Sequence, residues 1–337
     1  MKRTYWPTNK WKEADPATLE IDRKKLSILD TTIKNDYSNI SGIVIVKNGY
    51  IAYEKYYDGY TCDDTIHVAS VTKSILSALI GIVIDKGFIK SVEQRVLDFF
   101  PEYKTNEKEK YEITIKDLLT MTATYSYEIE PFQELCCSPD WTKYALDLLN
   151  GKSETKEFKY STAGAHILST IITRSTGKSA REFANEYLFK PIGMREMPAY
   201  EMTASDYEKF FFGKHVTGWV KDPDNNSAGG WGLTLTPRDM TRFGFLYLNK
   251  GLWENKQIIP QKYIEESLVI NHNHYGYLWW LFDENNTFMH CALGDGGNVI
   301  CCIPQKDMVI AITSRLIMNP NDRLTLINKY ILPAITG

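Results

Sequence analysis

Residues 70–84 read SVTKSILSALIGIVI, and this segment is apolar on nearly every side. A helix that is apolar all round is typical of a protein core. We therefore expect a buried helix that opens at Ser70 and is ended by Gly87, since glycine is common directly after a helix. The first turn of this helix places Ser70 and Lys73 on one face, because residues three apart are neighbours on a helix surface.

The Ser-x-x-Lys pair suits acyl-transfer chemistry. Burial disfavours the charged ammonium form of a lysine, which would let Lys73 accept the proton of the Ser70 hydroxyl near neutral pH. The free backbone N–H groups of the first turn, that of Ser70 included, would stabilise an oxyanion forming on a substrate. The alternative is that Lys73 extends from the end of a core helix to solvent and has no catalytic role.

The same spacing occurs twice more, at residues 153–156 and 175–178. Ser153 lies in a charged run, and Ser175 lies where a helical pattern stops at Gly177. Both copies are therefore predicted to be solvated surface. Only the copy at Ser70 opens an apolar helix.

Composition narrows the class of protein. The chain has 337 residues, of which 43% are hydrophobic and 24% charged, and its formal net charge is -3. It has no basic stripe with interleaved aromatic residues, so nucleic acid is not an expected partner. Charged residues occupy the place where a signal peptide would have its apolar core, and the longest apolar run is too short to span a bilayer. We expect a cytoplasmic protein without a membrane partner.

The cysteines and histidines do not have the spacing of metal ligands. None of the six cysteines forms a Cys-x-x-Cys or zinc-finger pattern, and reduced, partly buried thiols are expected. His272 and His274 are the one close histidine pair, in a polar loop without nearby carboxylate ligands. We therefore expect no metal site, and the sequence indicates no cofactor.

Secondary-structure patterns divide the chain into three parts. Residues 41–57 predict a β-hairpin, because Asn48-Gly49 lies between two β-rich runs. Helix signals then dominate until about residue 277. They include N-cap residues, helix stops and an apolar stripe, found at Thr114, residues 166–172, Ser179 with Pro191, and Thr236. Strands are predicted again near the C-terminus, at residues 277–282, 298–303 and 308–313, before a last helix near 323–331.

These patterns predict an α+β fold, an α/β sandwich, in which one antiparallel sheet is formed by the N- and C-terminal segments and flanked by helices. The sheet domain would comprise residues 1–87 and 275–337. Residues 88–274 would form a mainly helical inserted domain. The helix that opens at Ser70 lies at the boundary, so the active site is expected at the interface of the two domains.

Two further motifs come later in the chain. Tyr160-Ser161-Thr162 begins a helical stripe, where a tyrosine beside Lys73 could exchange protons with the serine; the alternative is a half-buried, hydrogen-bonded aromatic. Residues 292–298 read ALGDGGN and place three glycines at the edge of the last sheet. Glycine there lets a strand backbone approach a ligand and supply a second oxyanion N–H, although glycine-rich β-turns are common.

In this order the motifs resemble those of the serine β-lactamase and penicillin-recognising superfamily. The chain is most similar to its class C β-lactamase-related branch, which includes carboxylesterases and aminohexanoate-dimer hydrolases. The likeness runs from about residue 40 to 335 and includes residues 160–168, 189–194 and 229–233. It implies a β-lactamase/transpeptidase-like fold, with Ser70 as nucleophile and Lys73 and Tyr160 as the proton-handling pair. It also implies an oxyanion hole from the N–H groups of Ser70 and of a residue near Gly294.

Two positions depart from the pattern of this superfamily. Thr162 stands where the family has an asparagine, so the amide that would bind a substrate carbonyl is missing and Thr162 replaces it only in part. Residues 292–294, Ala-Leu-Gly, stand where lactamases and D-alanyl peptidases have Lys-Thr-Gly or His-x-Gly. The cation that would face a β-lactam carboxylate is then missing, although His290 lies two residues earlier and could reach the site.

The sequence thus predicts a serine hydrolase that forms an acyl-enzyme on a small ester or amide. The alternatives are a class C-like β-lactamase or D-alanyl-D-alanine carboxypeptidase acting on a lactam or peptide, and a binding or sensor protein with the same fold. The resemblance suggests that Tyr125 or Tyr127 lines the pocket, with plain loop packing as the alternative. Three tryptophans could form an aromatic wall or belong to the core, namely Trp231, Trp279 and Trp280. The sequence does not indicate the oligomeric state.

Overall fold

The structure is a computed structural model that describes residue 3 and residues 5–152, 157–284 and 286–336. The strands within these ranges are β1 (Ile40–Lys47), β2 (Tyr50–Tyr56), β3 (Ile66–His67), β4 (Ala123–Tyr125), β5 (Leu149–Lys152), β6 (Ala199–Tyr200), β7 (Trp219–Val220), β8 (Thr234–Leu235), β9 (Leu252–Trp253), β10 (Lys256–Gln257), β11 (Trp280–Glu284), β12 (Thr287–Gly294), β13 (Asn298–Ile303) and β14 (Met308–Ser314).

The α-helices of the same ranges, leaving aside short 3₁₀- and π-helical turns, are α1 (Arg23–Asp36), α2 (Val71–Asp85), α3 (Ile115–Leu119), α4 (Phe132–Cys137), α5 (Trp141–Leu148), α6 (Thr162–Thr176), α7 (Ala180–Ala184), α8 (Tyr207–Phe212), α9 (Pro237–Leu248), α10 (Gln261–Ser267) and α11 (Arg323–Leu326).

The main sheet joins the two ends of the chain. Its six strands are antiparallel and lie in the order β11-β12-β13-β14-β1-β2. The N-terminal hairpin therefore pairs with the last strand of the sequence, with Ile43 opposite Ile312 and Ile45 opposite Ile310. This arrangement confirms the predicted α+β fold with one sheet built from both termini.

Helices cover both faces of the sheet. Strand β1 is buried along its whole length, so it is an apolar run and not an alternating strand. Ile43 and Ile45 face the core on the α1 side, and Val44 and Val46 face the core that contains α2. Helix α1 was not predicted from the sequence. It buries Leu26, Leu29 and Ile33, which follow a helical spacing.

Helix α2 has the predicted character. Every residue from Val71 to Val83 is buried, and Ser70 is the N-cap. The helix ends at Asp85, followed by Lys86 and then by Gly87 at φ 77°. A left-handed residue at this point favours glycine because it has no Cβ to clash.

The strand predictions need three corrections. Eight short strands of two to four residues, β3 to β10, lie where helix signals dominate. Strand β12 was not predicted, and β11 begins at Trp280 and not at Tyr277. The reason for the late start is that Tyr277 N–H donates to Ser267 O at 2.9 Å and Leu278 N–H to Leu119 O at 2.9 Å, so both backbone donors serve loop contacts.

The predicted division at residues 87–88 and 274–275 into two domains stays a prediction. Among the described residues, no helix is both long enough and apolar enough to cross a membrane. In the same ranges, no three or more His, Cys, Asp or Glu side chains group so that they could hold a metal ion.

Candidate active site

A tight turn between β3 and α2 presents Ser70 to a cavity. Ala69 adopts φ 47°, in the left-handed region that is uncommon for residues other than glycine. The turn is closed by the hydrogen bond from Thr72 N–H to Ala69 O at 3.1 Å. Ser70 is partly exposed, whereas its neighbours Ala69 and Val71 are buried. The hydroxyl therefore lies at the N-terminus of a rigid core helix and remains open to a ligand.

The amine of Lys73 lies beside this hydroxyl. Lys73 is only 1% exposed, and its Nζ lies 3.1 Å from Ser70 Oγ. The same nitrogen donates to Gly230 O at 2.9 Å and contacts Thr162 Oγ1 at 3.3 Å. Among the described residues, no carboxylate forms an ion pair with Lys73. Three oxygens therefore orient the amine, and one of them is the hydroxyl that would be deprotonated.

Tyr160 lies on the other side of the amine. Its ring centroid is 4.7 Å from Lys73 Nζ, and the ring stacks on Trp280 at 6.0 Å. Within the described part of the chain the Tyr160 hydroxyl makes no hydrogen bond. The structure therefore brings together the three predicted catalytic side chains, Ser70, Lys73 and Tyr160, with the tyrosine meeting the lysine through its ring.

A cavity of about 700 Å³ opens above Ser70. Its lining includes six aromatic side chains, Phe132, Tyr160, Tyr207, Phe211, Trp231 and Trp280. Two acidic residues, Glu130 and Asp295, line it as well, and none of the described lining residues is Lys or Arg. The cavity is therefore apolar on its walls and favours neutral or cationic groups over anions.

Gly294 lies against the backbone of the serine turn. A Cβ on Gly294 would come within 2.2 Å of Val68 O and 3.2 Å of Ser70 N. Only glycine allows the end of β12 to approach this closely. The close approach puts backbone next to the Ser70 N–H, which is where a second oxyanion donor is required.

The two alternatives for the third motif lie away from the cavity. Ala292 is buried in the core that contains α2. His290 is also buried, against Tyr247 and Trp279, and burial lowers its pKa to about 3. Neither residue lines the cavity. The third motif therefore contributes backbone to the site and no cation.

The remaining predicted residues have different positions. Thr162 and Trp231 line the cavity. Tyr127 is not among the lining residues, and its hydroxyl lies 3.0 Å from Ser161 Oγ and 3.2 Å from Glu130 Oε1.

The other aromatic candidates differ in whether they line the cavity or belong to the core. Tyr125 is buried and stacks on Tyr127 at 5.2 Å. Trp279 is buried against Phe243, whereas Trp280 lines the cavity.

His67 was not identified from the sequence. Its Nε2 accepts the Gly232 N–H at 3.1 Å, and its ring packs against Phe211 and Trp231 at the cavity wall. Burial lowers the pKa of His67 to about 3, so the imidazole is neutral. The sequence signal that could have identified His67 as a site residue is its position three residues before Ser70.

Glu130 was also missed, and no sequence signal distinguishes it from the other carboxylates of the chain. It lies in the loop before α4 and lines the cavity. Its carboxylate accepts the backbone N–H groups of Thr162 at 2.9 Å and Ala163 at 2.7 Å. Glu130 therefore holds the first turn of α6, which carries Thr162.

Of the other two Ser-x-x-Lys copies, the structure describes only the one at Ser175, and that copy does not approach the site. Residues 153–156 lie outside the described residues. Ser175 lies at the end of α6, where its Oγ donates to Ile172 O at 3.3 Å, and Lys178 pairs with Glu186 on the surface.

Comparison with known proteins shows which family and fold the chain shares. The chain is 23% identical over 284 residues to 6-aminohexanoate-dimer hydrolase of Paenarthrobacter ureafaciens, which covers 78% of this chain and 67% of the relative. A solved structure of a candidate 6-aminohexanoate-dimer hydrolase from Bacillus anthracis superposes with a TM-score of 0.75 at 22% identity, covering 97% of this chain and 88% of the other.

A class C β-lactamase from Rhodobacter sphaeroides superposes with a TM-score of 0.66 at 14% identity, over 93% of this chain and 100% of that enzyme. These likenesses confirm the β-lactamase/penicillin-binding fold. The family model described as Beta-lactamase matches residues 32–327. That match includes both ends of the main sheet and the Ser70 site, and the chain therefore belongs to the beta-lactamase family.

Proposed function

We propose that this protein is a serine hydrolase that forms an acyl-enzyme on Ser70 and acts on a small ester or amide. The observation that carries the proposal is the 3.1 Å contact between Lys73 Nζ and Ser70 Oγ at the N-terminus of a buried helix. A hydroxyl beside a buried amine, open to a cavity, is the arrangement of an activated nucleophile. Membership of a hydrolase family supports it.

The reaction follows from these positions. The Lys73 amine takes the Ser70 proton while Oγ bonds to the substrate carbonyl carbon, and the carbonyl oxygen becomes an oxyanion. The Ser70 N–H and a backbone N–H near Gly294 stabilise that charge. The leaving group departs with the proton, passed from Lys73 directly or through Tyr160. Water then attacks the acyl-enzyme, releases the acid and returns the proton to Ser70.

The lining of the cavity supports an ester or amide over a β-lactam or a D-alanyl peptide. Both of the latter carry a carboxylate, and removing a carboxylate from water without a paired cation is costly. The described lining contains Glu130 and Asp295 but no Lys or Arg. A neutral ester does not incur this penalty.

Three substrates and one probe test the proposal. A fluorophosphonate should add once to the protein, and intact mass should show that adduct disappear in Ser70→Ala. A short nitrophenyl ester should be hydrolysed with a kcat/KM well over tenfold above that of a chromogenic cephalosporin, a gap of more than about 1.4 kcal/mol. Hydrolysis of the cephalosporin or of a D-Ala-D-Ala peptide as the preferred substrate would replace this proposal. No hydrolysis and no adduct would favour the binding or sensor protein.

Two further predictions concern the domain interface and the cellular location. We infer that the active site lies between the sheet domain, residues 1–87 with 275–337, and the helical domain, residues 88–274. We also infer a cytoplasmic location, as the sequence predicts.

A further inference from the structure

Glu130 is a carboxylate fixed in place at the cavity wall. Its Oε1 accepts from Ala163 N at 2.7 Å, Ser161 Oγ at 3.1 Å and the Tyr127 hydroxyl at 3.2 Å. Its Oε2 accepts from Thr162 N at 2.9 Å. Four donors therefore hold one side chain, so its carboxylate does not need to be ordered when a ligand binds.

This carboxylate has capacity for a ligand. The two oxygens of a carboxylate offer about four acceptor positions, and Oε2 accepts a single bond from the protein. Glu130 is half-buried and lines the cavity. The N-terminus of α6 stabilises a negative charge at this point, because its free N–H groups point towards the carboxylate. An anionic acceptor is thus held ready beside the substrate space.

The aromatic walls favour a positive charge in the same space. Phe132 and Tyr207 are 39% and 51% exposed, and they pack against Trp231 at 5.5 Å and against Phe211 at 4.6 Å, respectively. The faces of such exposed rings attract cations. The described lining contains no Lys or Arg that would compete for Glu130.

The Lys73 amine is already engaged by other groups. Lys73 Nζ contacts Ser70, Thr162 and Gly230, and Thr162 separates it from Glu130. Lys73 is therefore committed to Ser70, and the Glu130 carboxylate lies on the other side of Thr162. A substrate carbonyl at Ser70 would place the rest of the molecule along that wall.

We propose, on the basis of the hydrolase function above, that the cavity selects esters or amides that carry an ammonium group and that Glu130 is the counter-ion of that group. Glu130 is then a residue that determines specificity. It does not take part in bond breaking. Anionic substrates are excluded by the same charge, in agreement with the absence of a cation from the described lining.

A pair of substrates of equal shape isolates the charge. Choline and 3,3-dimethylbutyl esters of the same acid differ in a quaternary nitrogen that replaces a carbon. We expect kcat/KM for the choline ester to exceed that for the neutral ester by about tenfold or more at low salt, and the preference to shrink as salt screens the charges. Equal values for the two esters would overturn the proposal.

Three variants locate the counter-ion. Glu130→Gln removes the charge at nearly constant size, and we expect it to reduce the choline-ester preference at least about fivefold, mainly through KM. Glu128→Gln removes the same charge from an exposed position of the same loop and should leave the preference intact. A preference that survives in Glu130→Gln, or one that is lost in Asp295→Asn instead, would show that Glu130 is not the counter-ion.

A binding measurement on the unmodified protein avoids the risk that Glu130→Gln disturbs the first turn of α6. Tetramethylammonium should bind, as followed by calorimetry, whereas tert-butanol of similar size should not. Equal binding of both, or of neither, would contradict the proposal. Fluorophosphonate labelling of Ser70 distinguishes a failure of the ammonium selectivity from a failure of the hydrolase function. Labelling without an ammonium preference overturns the selectivity alone. Ammonium binding without labelling overturns the hydrolase function alone.

Discussion

Two copies of Ser-x-x-Lys in this molecule have opposite surroundings. Lys73 is 1% exposed and lies 3.1 Å from the serine of its own motif. Lys178 is on the surface, where the hydrogen bond that it donates to Glu186 raises its pKa above the ordinary value. Its partner Ser175 donates instead to the backbone of α6. Lys178 therefore stays protonated and does not contact its serine, so equal spacing leads to different surroundings, and burial and partners distinguish the proposed catalytic pair.

The largest expected effect comes from the two serines. Ser70→Ala should lower turnover of a nitrophenyl ester by roughly 10⁴-fold or more, because the attacking oxygen is removed. Ser175→Ala should leave turnover unchanged. Steady-state kinetics with circular dichroism as a check of folding measure both. If Ser70→Ala were as active as the unmodified protein, another residue would have to be the nucleophile.

The two lysines should differ next. Lys73→Met should slow acylation by roughly 10²-fold or more, the scale of general-base catalysis, and Lys178→Met should not change it. Stopped-flow release of nitrophenol measures acylation. If both variants lost the same fraction of their acylation rate, Lys73 would have no special role compared with Lys178.

Tyr160 tests the third member of the proposed site. Tyr160→Phe keeps the ring that faces Lys73 and removes only the hydroxyl. We expect acylation to fall by roughly 10²-fold if the hydroxyl transfers the proton. Because the ring contact at 4.7 Å remains, a near-normal rate in this variant would assign Tyr160 a packing role.

Glycines at the two motifs should separate activity from stability. Gly294→Ala would put a Cβ 2.2 Å from Val68 O, so the strand must move away from Ser70 N. We expect kcat to fall about tenfold or more as the oxyanion donor is displaced. Gly177→Ala, at φ 71° with open space around it, should cost about 1 kcal/mol of stability and leave kcat unchanged. If kcat were equal in the two variants, Gly294 would not be needed to position an oxyanion donor.

The smallest effect concerns pH and folding. Burial lowers the pKa of His67 and of His290 to about 3, from 6.5. The unfolded chain therefore binds protons at a higher pH than the folded protein. Stability is fully present above about pH 6.5, and each histidine removes up to about 1.4 kcal/mol per pH unit as the pH falls from there towards 3.

Variants assign this pH dependence. His67→Gln should reduce the slope of unfolding free energy against pH between about 6.5 and 5, since one proton-linked group is lost. His274→Gln, at an exposed position, should leave the slope unchanged. Urea unfolding at several pH values measures both. An unaltered slope in His67→Gln would mean that His67 titrates normally.

Local chemistry explains which features could be predicted. The hairpin around Asn48-Gly49 and helix α2 depend on neighbouring residues and on an apolar run, and both appear as expected. Strand β12 was missed because its glycine-rich end reads as a turn. Glu130 was missed because its role depends on α6, more than thirty residues later, and nothing adjacent to it in the chain marks it.

By itself, the sequence determined that a buried helix carries a serine and a lysine one turn apart, because helical spacing and apolar burial are local properties. It also determined that the third motif has no cation at residue 292. Only the tertiary structure decided that Gly294 meets the serine turn, that His290 is shut away in the core, and that Glu130 lines the cavity. These depend on how distant segments pack against one another, and the contacts of a residue far along the chain are not encoded in its immediate neighbours.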